Sequence, residues 1–358
     1  MKLVIAGGGT GGHIFAGVAI AQEFKSQSAA NEVLFVGSEY GLEKRLVPKW
    51  GFPLHTIKIG KLVGQGLLRR LWTLLQIPIS VWSCIRVLRS YRADMVIGVG
   101  GFAAGPCIVA ARILGLPIGV LEQNSVMGFT NRVSARLAHH IFLAFDEIPQ
   151  GIPRHKCVVT GNPTRSQLHS KEKTGDHFTI FAFGGSQGAT GINRLLTDAA
   201  KKLAEEKHRI AIIHQTGEKD FEWVVEAYKK IEYPAQVFKF IDDMQKMYDQ
   251  ASIVICRAGS GTISELGATK NAAIFIPFPY AAGNHQEHNA RNVQAAKAGQ
   301  VLLQTESNGD QLAEMILALR KNPEQLAVMR QNITNFFRPD APKRIVDVMK
   351  TRVLTQNV

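Results

Sequence analysis

Acidic side chains are absent from one long stretch of this 358-residue chain: none occurs between Lys44 and Ala93, a span that holds ten lysines and arginines. That excludes a surface of mixed charge there and leaves a cationic face, in a chain of net charge +13. Cysteine is scarce. Cys84, Cys107, Cys157 and Cys256 share no Cys-x-x-Cys spacing, so neither a zinc ribbon nor a disulfide framework is expected, and reduced core thiols of a cytosolic protein are. No apolar run reaches the roughly 20 residues of a membrane-spanning helix; the longest candidate, Leu71–Ile85, is interrupted by Gln76 and Pro78. The opening residues, Lys2-Leu3-Val4, pass directly into a strand pattern without a leader-type apolar region and cleavage site, which argues against export. Nucleic-acid motifs are missing too.

Glycine, by contrast, is concentrated in two places. Apolar Leu3–Ala6 runs into Gly7, Gly8, Gly9, Thr10, Gly11 and Gly12, followed by His13. Glycines that dense let backbone N–H groups approach an oxyanion where a helix opens with its positive end facing it. The arrangement returns at Thr179–Phe183, followed by Gly184, Gly185, Ser186, Gln187 and Gly188. Two strand–glycine–helix openings half a chain apart imply two similar lobes with a cleft between them.

Ile14–Lys25 reads as a helix with Val18, Ile20, Ala21 and Phe24 on its apolar face, and Glu32–Gly37 as a strand. Further strands are expected at Asp94–Gly100, at Leu116–Leu121 with Glu122, Gln123 and Asn124 at its carboxyl end, and at His140. Turn-rich Val158–Arg165 and polar His169–Asp176 mark a boundary. Beyond it, strands at Phe178–Phe183, Ile210–Gln215, Val237–Ile241, Ile253–Cys256, Ala273–Ile276 and Val301–Gln304 alternate with helical patterns. Sustained alternation predicts an α/β protein of two Rossmann-like, doubly wound parallel-sheet domains. They are placed at 1–163 and 164–341, with a helix over 342–358 packing back on the first. Ligands of parallel sheets bind beyond the carboxyl ends of strands, where His13, Gly100, Gly101, Glu122 and Asn124 would meet.

Three chemistries compete for these loops. Gly7, Gly9 and Gly12 fit the G-x-G-x-x-G of a dinucleotide oxidoreductase, but the acid that should hold a ribose, Glu39, stands beyond the glycine that ends the second strand. Gly184, Ser186 and Gly188 fit a hydrolase nucleophile elbow, with Asp242 and His285 available as partners. Each of these ignores half of the chain. A nucleotide-sugar glycosyltransferase uses both lobes, the second for the nucleotide diphosphate and the first for the acceptor. No Asp-x-Asp occurs, so the metal site of the other large glycosyltransferase architecture is missing, and helix N-termini with cationic side chains must neutralise the leaving diphosphate. Ser186 with the N–H groups of Gly185 and Gln187 fits that task.

Six motifs in order, Gly8–His13, Gly100–Phe102, Glu122–Asn124, Gly161–Arg165, Gly184–Ala189 and Arg257–Glu265, together resemble the signature set of the MurG family of glycosyltransferases, family 28. The resemblance implies the GT-B fold, with two domains facing across a cleft. It implies inverting transfer of N-acetylglucosamine (GlcNAc) from UDP-GlcNAc to the 4-hydroxyl of the muramyl sugar of lipid I, an undecaprenyl-diphosphate-linked acceptor, giving lipid II. No tightly bound metal or other cofactor is implied. On the donor side it assigns Glu265 to the ribose hydroxyls, the Ile241 backbone to uracil, Arg165 to phosphate, and Gln286 and Asn289 to the sugar. Arg257 and Thr262 line the same turn, and Thr10, Gly11, Gly12 and Asn124 complete the donor set alongside Gly185, Ser186 and Gln187. Gly9, Thr10, His13, Gly100 and Gly101 would meet the acceptor diphosphate.

Asp242 and Asp243 read as a helix cap, not a metal pair. His13 is the candidate general base, with a hydrogen bond to the acceptor diphosphate as its other reading and Glu122 as its rival. The family usually has proline where Ala16 stands; proline suits a helix's first turn, so a looser helix start is expected. A UDP-sugar epimerase of the same architecture and an NAD-dependent reductase are the alternative functions.

Leu67–Trp82 is apolar and aromatic between arginines, inside the stretch without acids. It reads as an amphipathic core helix or as one lying on an anionic membrane with tryptophan at headgroup level; the charge exclusion favours the membrane. The chain is therefore expected in the cytoplasm, peripheral on the inner face of the plasma membrane. Its expected partners are UDP-GlcNAc, lipid I, the anionic membrane surface and other cell-wall synthesis proteins, with no nucleic acid.

Overall fold

The computed structural model describes residues 1–59, 67–164, 168–170, 177–185, 187–206 and 209–356, with the backbone alone at 67–75 and 206. Two compact units divide the chain: Met1–Ser166 with Arg338–Val358, and Gln167–Phe337. Both are parallel-sheet α/β units, the composition of the GT-B fold.

In the first unit β1 (Lys2–Gly7), α1 (Gly11–Ser26), β2 (Glu32–Ser38), α2 (Glu43–Lys49), β3 (Leu54–Ile57) and α3 (Leu67–Tyr91) follow one another. Next come β4 (Met95–Gly100), α4 (Ala104–Ile113), β5 (Ile118–Glu122), α5 (Phe129–Leu137), β6 (His140–Leu143) and β7 (Cys157–Val159). The sheet order is β3-β2-β1-β4-β5-β6-β7. β1 is central because it is apolar on both faces: Leu3 and Ile5 join one core layer with Ile14, Ile20 and Phe24, while Val4 and Ala6 join the other with Val96, Ile108 and Val120. Such two-sided burial is what a parallel sheet demands, and each fully buried Leu or Ile is worth roughly 1.5–3 kcal/mol.

The second unit contains β8 (Phe178–Phe183), α6 (Thr190–Leu203), β9 (Ile210–Gln215), α7 (Phe221–Lys230), β10 (Gln236–Phe238) and α8 (Met244–Gln250). It continues with β11 (Ile253–Cys256), α9 (Ser260–Thr269), β12 (Ala273–Phe275), α10 (His285–Ala295), β13 (Gln300–Val301), α11 (Gly309–Lys321) and α12 (Pro323–Asn332). Its sheet order is β10-β9-β8-β11-β12-β13. The last helix, α13 (Ala341–Gln356), belongs to the first unit, where Ile345, Val346 and Met349 are buried in the layer with α1.

One element departs from the sequence expectation at its start. α1 starts at Gly11, so Ala16 lies in its second turn, buried, and the argument that a first-turn proline is missing there does not apply. α3 is continuous through Pro78; Ser80 Oγ donates to the carbonyls of Gln76 and Lys58, each at 2.9 Å, steadying the turn that lacks the proline N–H. Among the described residues no helix is long and apolar enough to cross a membrane.

In each sheet the order reverses beside the first strand of the unit, between β1 and β4 and between β8 and β11. Such a switch point opens a crevice at the carboxyl ends of the two strands. Both glycine loops stand there.

Candidate functional site

In the first unit β1 leaves the sheet through Gly7, Gly8 and Gly9 at φ 148°, 152° and 84°, conformations that side chains resist. The Gly8 N–H donates to the Gly100 carbonyl at 3.1 Å, and a Cβ on Gly101 would overlap the Gly8 carbonyl. The two loops interlock backbone to backbone. Thr10 takes the N-cap position of α1 without a side-chain cap, an arrangement that suits an anion at the helix N-terminus, beside Gly11 and Gly12. His13 stands in the first turn, its Nδ1 3.1 Å from the Gly8 carbonyl. Only a protonated Nδ1 can make that bond, so the neutral ring keeps its basic lone pair on Nε2. A Cβ on Gly100 would come within 2.8 Å of that Nε2.

Sequence reasoning missed Glu43. Its carboxylate is 1% exposed and accepts the N–H groups of Gly9 (2.8 Å) and Ser38 (2.7 Å) and the Ser38 hydroxyl (2.9 Å). A Cβ on Gly8, Gly37 or Gly41 would strike it. Glycines from three segments thus form a socket for one carboxylate, which holds the loop from behind.

At the end of β5, Glu122 is buried and accepts hydrogen bonds from Asn124 N–H (2.9 Å), Asn124 Nδ2 (3.3 Å), Gly128 N–H (3.2 Å) and Asn131 Nδ2 (2.9 Å). Burial pushes its carboxyl above the usual carboxylate range, against the pull of those bonds. Both oxygens are engaged within their own turn, the geometry of a loop organiser more than of a base open to substrate. Gln123 Nε2 donates to Asn162 Oδ1 at 2.8 Å and to the Gly12 carbonyl at 3.3 Å, fastening the start of α1.

In the second unit Gly185 and Gly188 take φ 87° and 77°, and a Cβ on Gly188 would overlap the Thr216 carbonyl. Ser186 and Arg165 lie outside the described residues. Buried Gln215, also missed from sequence, donates from Nε2 to the Gly185 carbonyl at 3.0 Å and accepts the Ile241 N–H at 2.8 Å. One side chain therefore joins Gly185 to the backbone expected to read uracil. Glu265, on α9, accepts the Tyr248 hydroxyl at 3.0 Å, with Thr262 in the first turn of that helix.

Arg257 donates to the carbonyls of Ile276 (2.9 Å) and Pro277 (3.0 Å) and to Gln304 Oε1 (2.7 Å). Burial lowers its pKa to about 10. It shapes the turn after β12 from within. Gln286 Oε1 accepts the Phe278 N–H at 2.9 Å, while Asn289 is fully buried and donates to the Ala258 carbonyl at 3.1 Å. That bond ties α10, which carries the amide expected to read the sugar, to the turn before α9. Of the acidic pair, Asp243 caps α8 by accepting the Lys246 N–H at 3.0 Å.

Residues 3–143 match the glycosyltransferase family 28 N-terminal domain and residues 179–345 its C-terminal domain. A Myxococcus xanthus protein named UDP-N-acetylglucosamine--N-acetylmuramyl-(pentapeptide) pyrophosphoryl-undecaprenol N-acetylglucosamine transferase is 41% identical over 352 residues, 97% of this chain and 92% of its own length. A Geobacter relative (strain M21) of the same name is 41% identical over 357 residues, 98% of this chain and 96% of that one. The crystal structure of Acinetobacter baumannii MurG matches with a TM-score of 0.80 at 29% identity, covering 98% of this chain and 99% of that one.

Proposed function

The chain belongs to glycosyltransferase family 28, and from that premise we propose that it transfers GlcNAc from UDP-GlcNAc to lipid I, the N-acetylmuramyl-(pentapeptide) pyrophosphoryl-undecaprenol acceptor named in its relatives. One observation carries this reading: each unit has a glycine loop at its own switch point, opening a helix, so neither loop is left without a task. An NAD-dependent reductase would use only one of them.

The acceptor diphosphate is assigned to the loops of Gly8–His13 and Gly100–Gly101, and the leaving UDP to the second unit, around Gly185, Gln187 and Glu265. The acceptor 4-oxygen attacks the anomeric carbon as the bond to the UDP β-phosphate breaks, and its proton passes to His13 Nε2. A single displacement of this kind inverts the anomeric centre and needs no metal where helix N-termini meet the departing diphosphate. Glu122 acts here as a positioning residue.

The acceptor is a lipid, and the first unit exposes Ile79, Trp82, Ile113, Phe129 and Val133 at 45–66%. The Arg86 guanidinium lies 3.7 Å from the centroid of the Trp82 ring. These side chains, from α3, α4 and α5, support a peripheral seat on an anionic membrane.

His13→Ala is expected to lower turnover about 10²–10⁴-fold, the usual contribution of a general base, with UDP affinity kept within twofold by calorimetry. A matching loss of UDP affinity would return this loop to the donor. UDP release that persists without a lipid I analogue would favour the epimerase.

A further inference from the structure

At the amino ends of β5 and β6, opposite the glycine loops, a cavity of about 320 Å³ is lined by Arg112, Arg136, His139, His140, Lys156 and Arg352 among others. None of its lining residues is acidic. Arg112 and Arg136 stand in the last turns of α4 and α5, and two helix C-termini supply about one negative charge between them. Four permanent cations exceed that.

The histidines report the same imbalance. Burial, and behind it the positive charge of Arg352, holds His139 and His140 below the ordinary histidine range. His139 Nδ1 accepts the Ile118 N–H at 3.0 Å, which fixes the ring proton on Nε2 as a donor. The buried Nδ1 of His140 and Nε of Arg352 have no hydrogen-bond partner, and buried polar groups are ordinarily satisfied. Guanidinium forks with imidazole and ammonium donors around a small polar cavity match the oxygens of a phosphoryl group.

We propose that this cavity binds a phosphate-bearing anion, at a site separate from the reaction centre. The anion is either soluble phosphate or the phosphate of a lipid headgroup. Ile113, next to Arg112 in sequence, and Val133, three residues before Arg136, are exposed on the same two helices.

The test uses the full-length protein without substrates. Inorganic phosphate is titrated calorimetrically at constant ionic strength, and sedimentation is measured with phosphatidylcholine vesicles with and without phosphatidic acid. Wild type is compared with Arg136→Gln/Arg352→Gln, with Lys156→Gln, and with Lys44→Gln/Arg45→Gln, a control of equal charge on α2.

Saturable phosphate binding that the first double variant weakens at least tenfold identifies a soluble ligand. No phosphate binding, but a tenfold loss on phosphatidic acid vesicles in that variant alone, identifies a headgroup. Should Arg136→Gln/Arg352→Gln melt early, Lys156→Gln carries the comparison with an expected threefold or greater loss. Absence of both kinds of binding, or an equal loss in the control, overturns the site. Turnover of these variants on a detergent-dispersed acceptor is expected to match wild type, so failure of the anion site leaves the proposed reaction standing.

Discussion

Glu43 and His13 bond neighbouring residues of the same glycine loop, Gly9 and Gly8, and their chemistry separates what each should do. Glu43 is sealed under the loop and touches no position a substrate could take; it fixes Gly9 and, through Ser38, the end of β2. In Glu43→Gln one oxygen becomes an NH₂, which must face either the Gly9 N–H or the Ser38 pair. A buried donor left without an acceptor costs about 1–3 kcal/mol. Chemical denaturation should read that loss, and acceptor-dependent turnover should fall at least tenfold while UDP binding holds. Wild-type stability and turnover in this variant would remove Glu43 from the account.

At this scale the sequence is legible where the signal is local. Gly8, His13, Gly100 and Gly101 announce themselves by glycine density and are brought together by backbone bonds. Glu43 and Gln215 do not, because the loop residues they hold include partners 34 and 26 residues away, and no local pattern marks such long-range bonds. Asn289 shows a further limit: its motif invites a ligand role, but its Nδ2 bond to the Ala258 carbonyl, 31 residues away, is not written in that motif.

Among elements, β8, β9 and β11 match the expected spans to the residue, since each is an apolar run with clear stops. β3 and β7 went unread: they are edge strands of 4 and 3 residues, and too few side chains repeat to set a period. α3 illustrates a different limit. Gln76 and Pro78 interrupt its apolar run, while packing of Cys84 and Leu88 in the core beneath and the Ser80 bonds support the continuous helix.

The face α3 turns to solvent carries Ile79 and Trp82, and neither contributes to the core. Ile79→Gln and Trp82→Gln should therefore leave the melting temperature within about 2 °C, since exposed substitutions usually stay within ±0.5 kcal/mol. Sedimentation with vesicles rich in anionic lipid should drop severalfold in both. Unchanged sedimentation would mean that the apolar face serves another surface.

For the whole molecule, the alternation of strands and helices made two parallel-sheet units legible, and α13 extends the first of them after the second is complete. Each unit has cores of its own, so each is expected to unfold in its own cooperative step. Acid should distinguish them through His214, buried in the second unit. Asn193 Nδ2 donates to the Thr216 carbonyl and to Asp220, leaving its Oδ1 to accept from His214 Nε2 at 3.0 Å. His214 Nδ1 then accepts the Tyr228 hydroxyl, also at 3.0 Å.

Nε2 already carries the ring proton and Nδ1 is occupied by the Tyr228 hydroxyl, and burial lowers the histidine pKa to about 3 from its ordinary 6.5. Between those values the unfolded chain binds a proton that the folded unit refuses. Stability is thus intact above pH 6.5 and declines as pH falls toward 3, by up to roughly 1.4 kcal/mol per pH unit. Hydrogen exchange at pH 7, 6, 5 and 4 should show protection falling in β8, β9 and α6 with that slope, and His214→Gln should remove the slope even if it lowers the starting stability. An identical slope in the variant would assign the acid sensitivity of this unit to other groups.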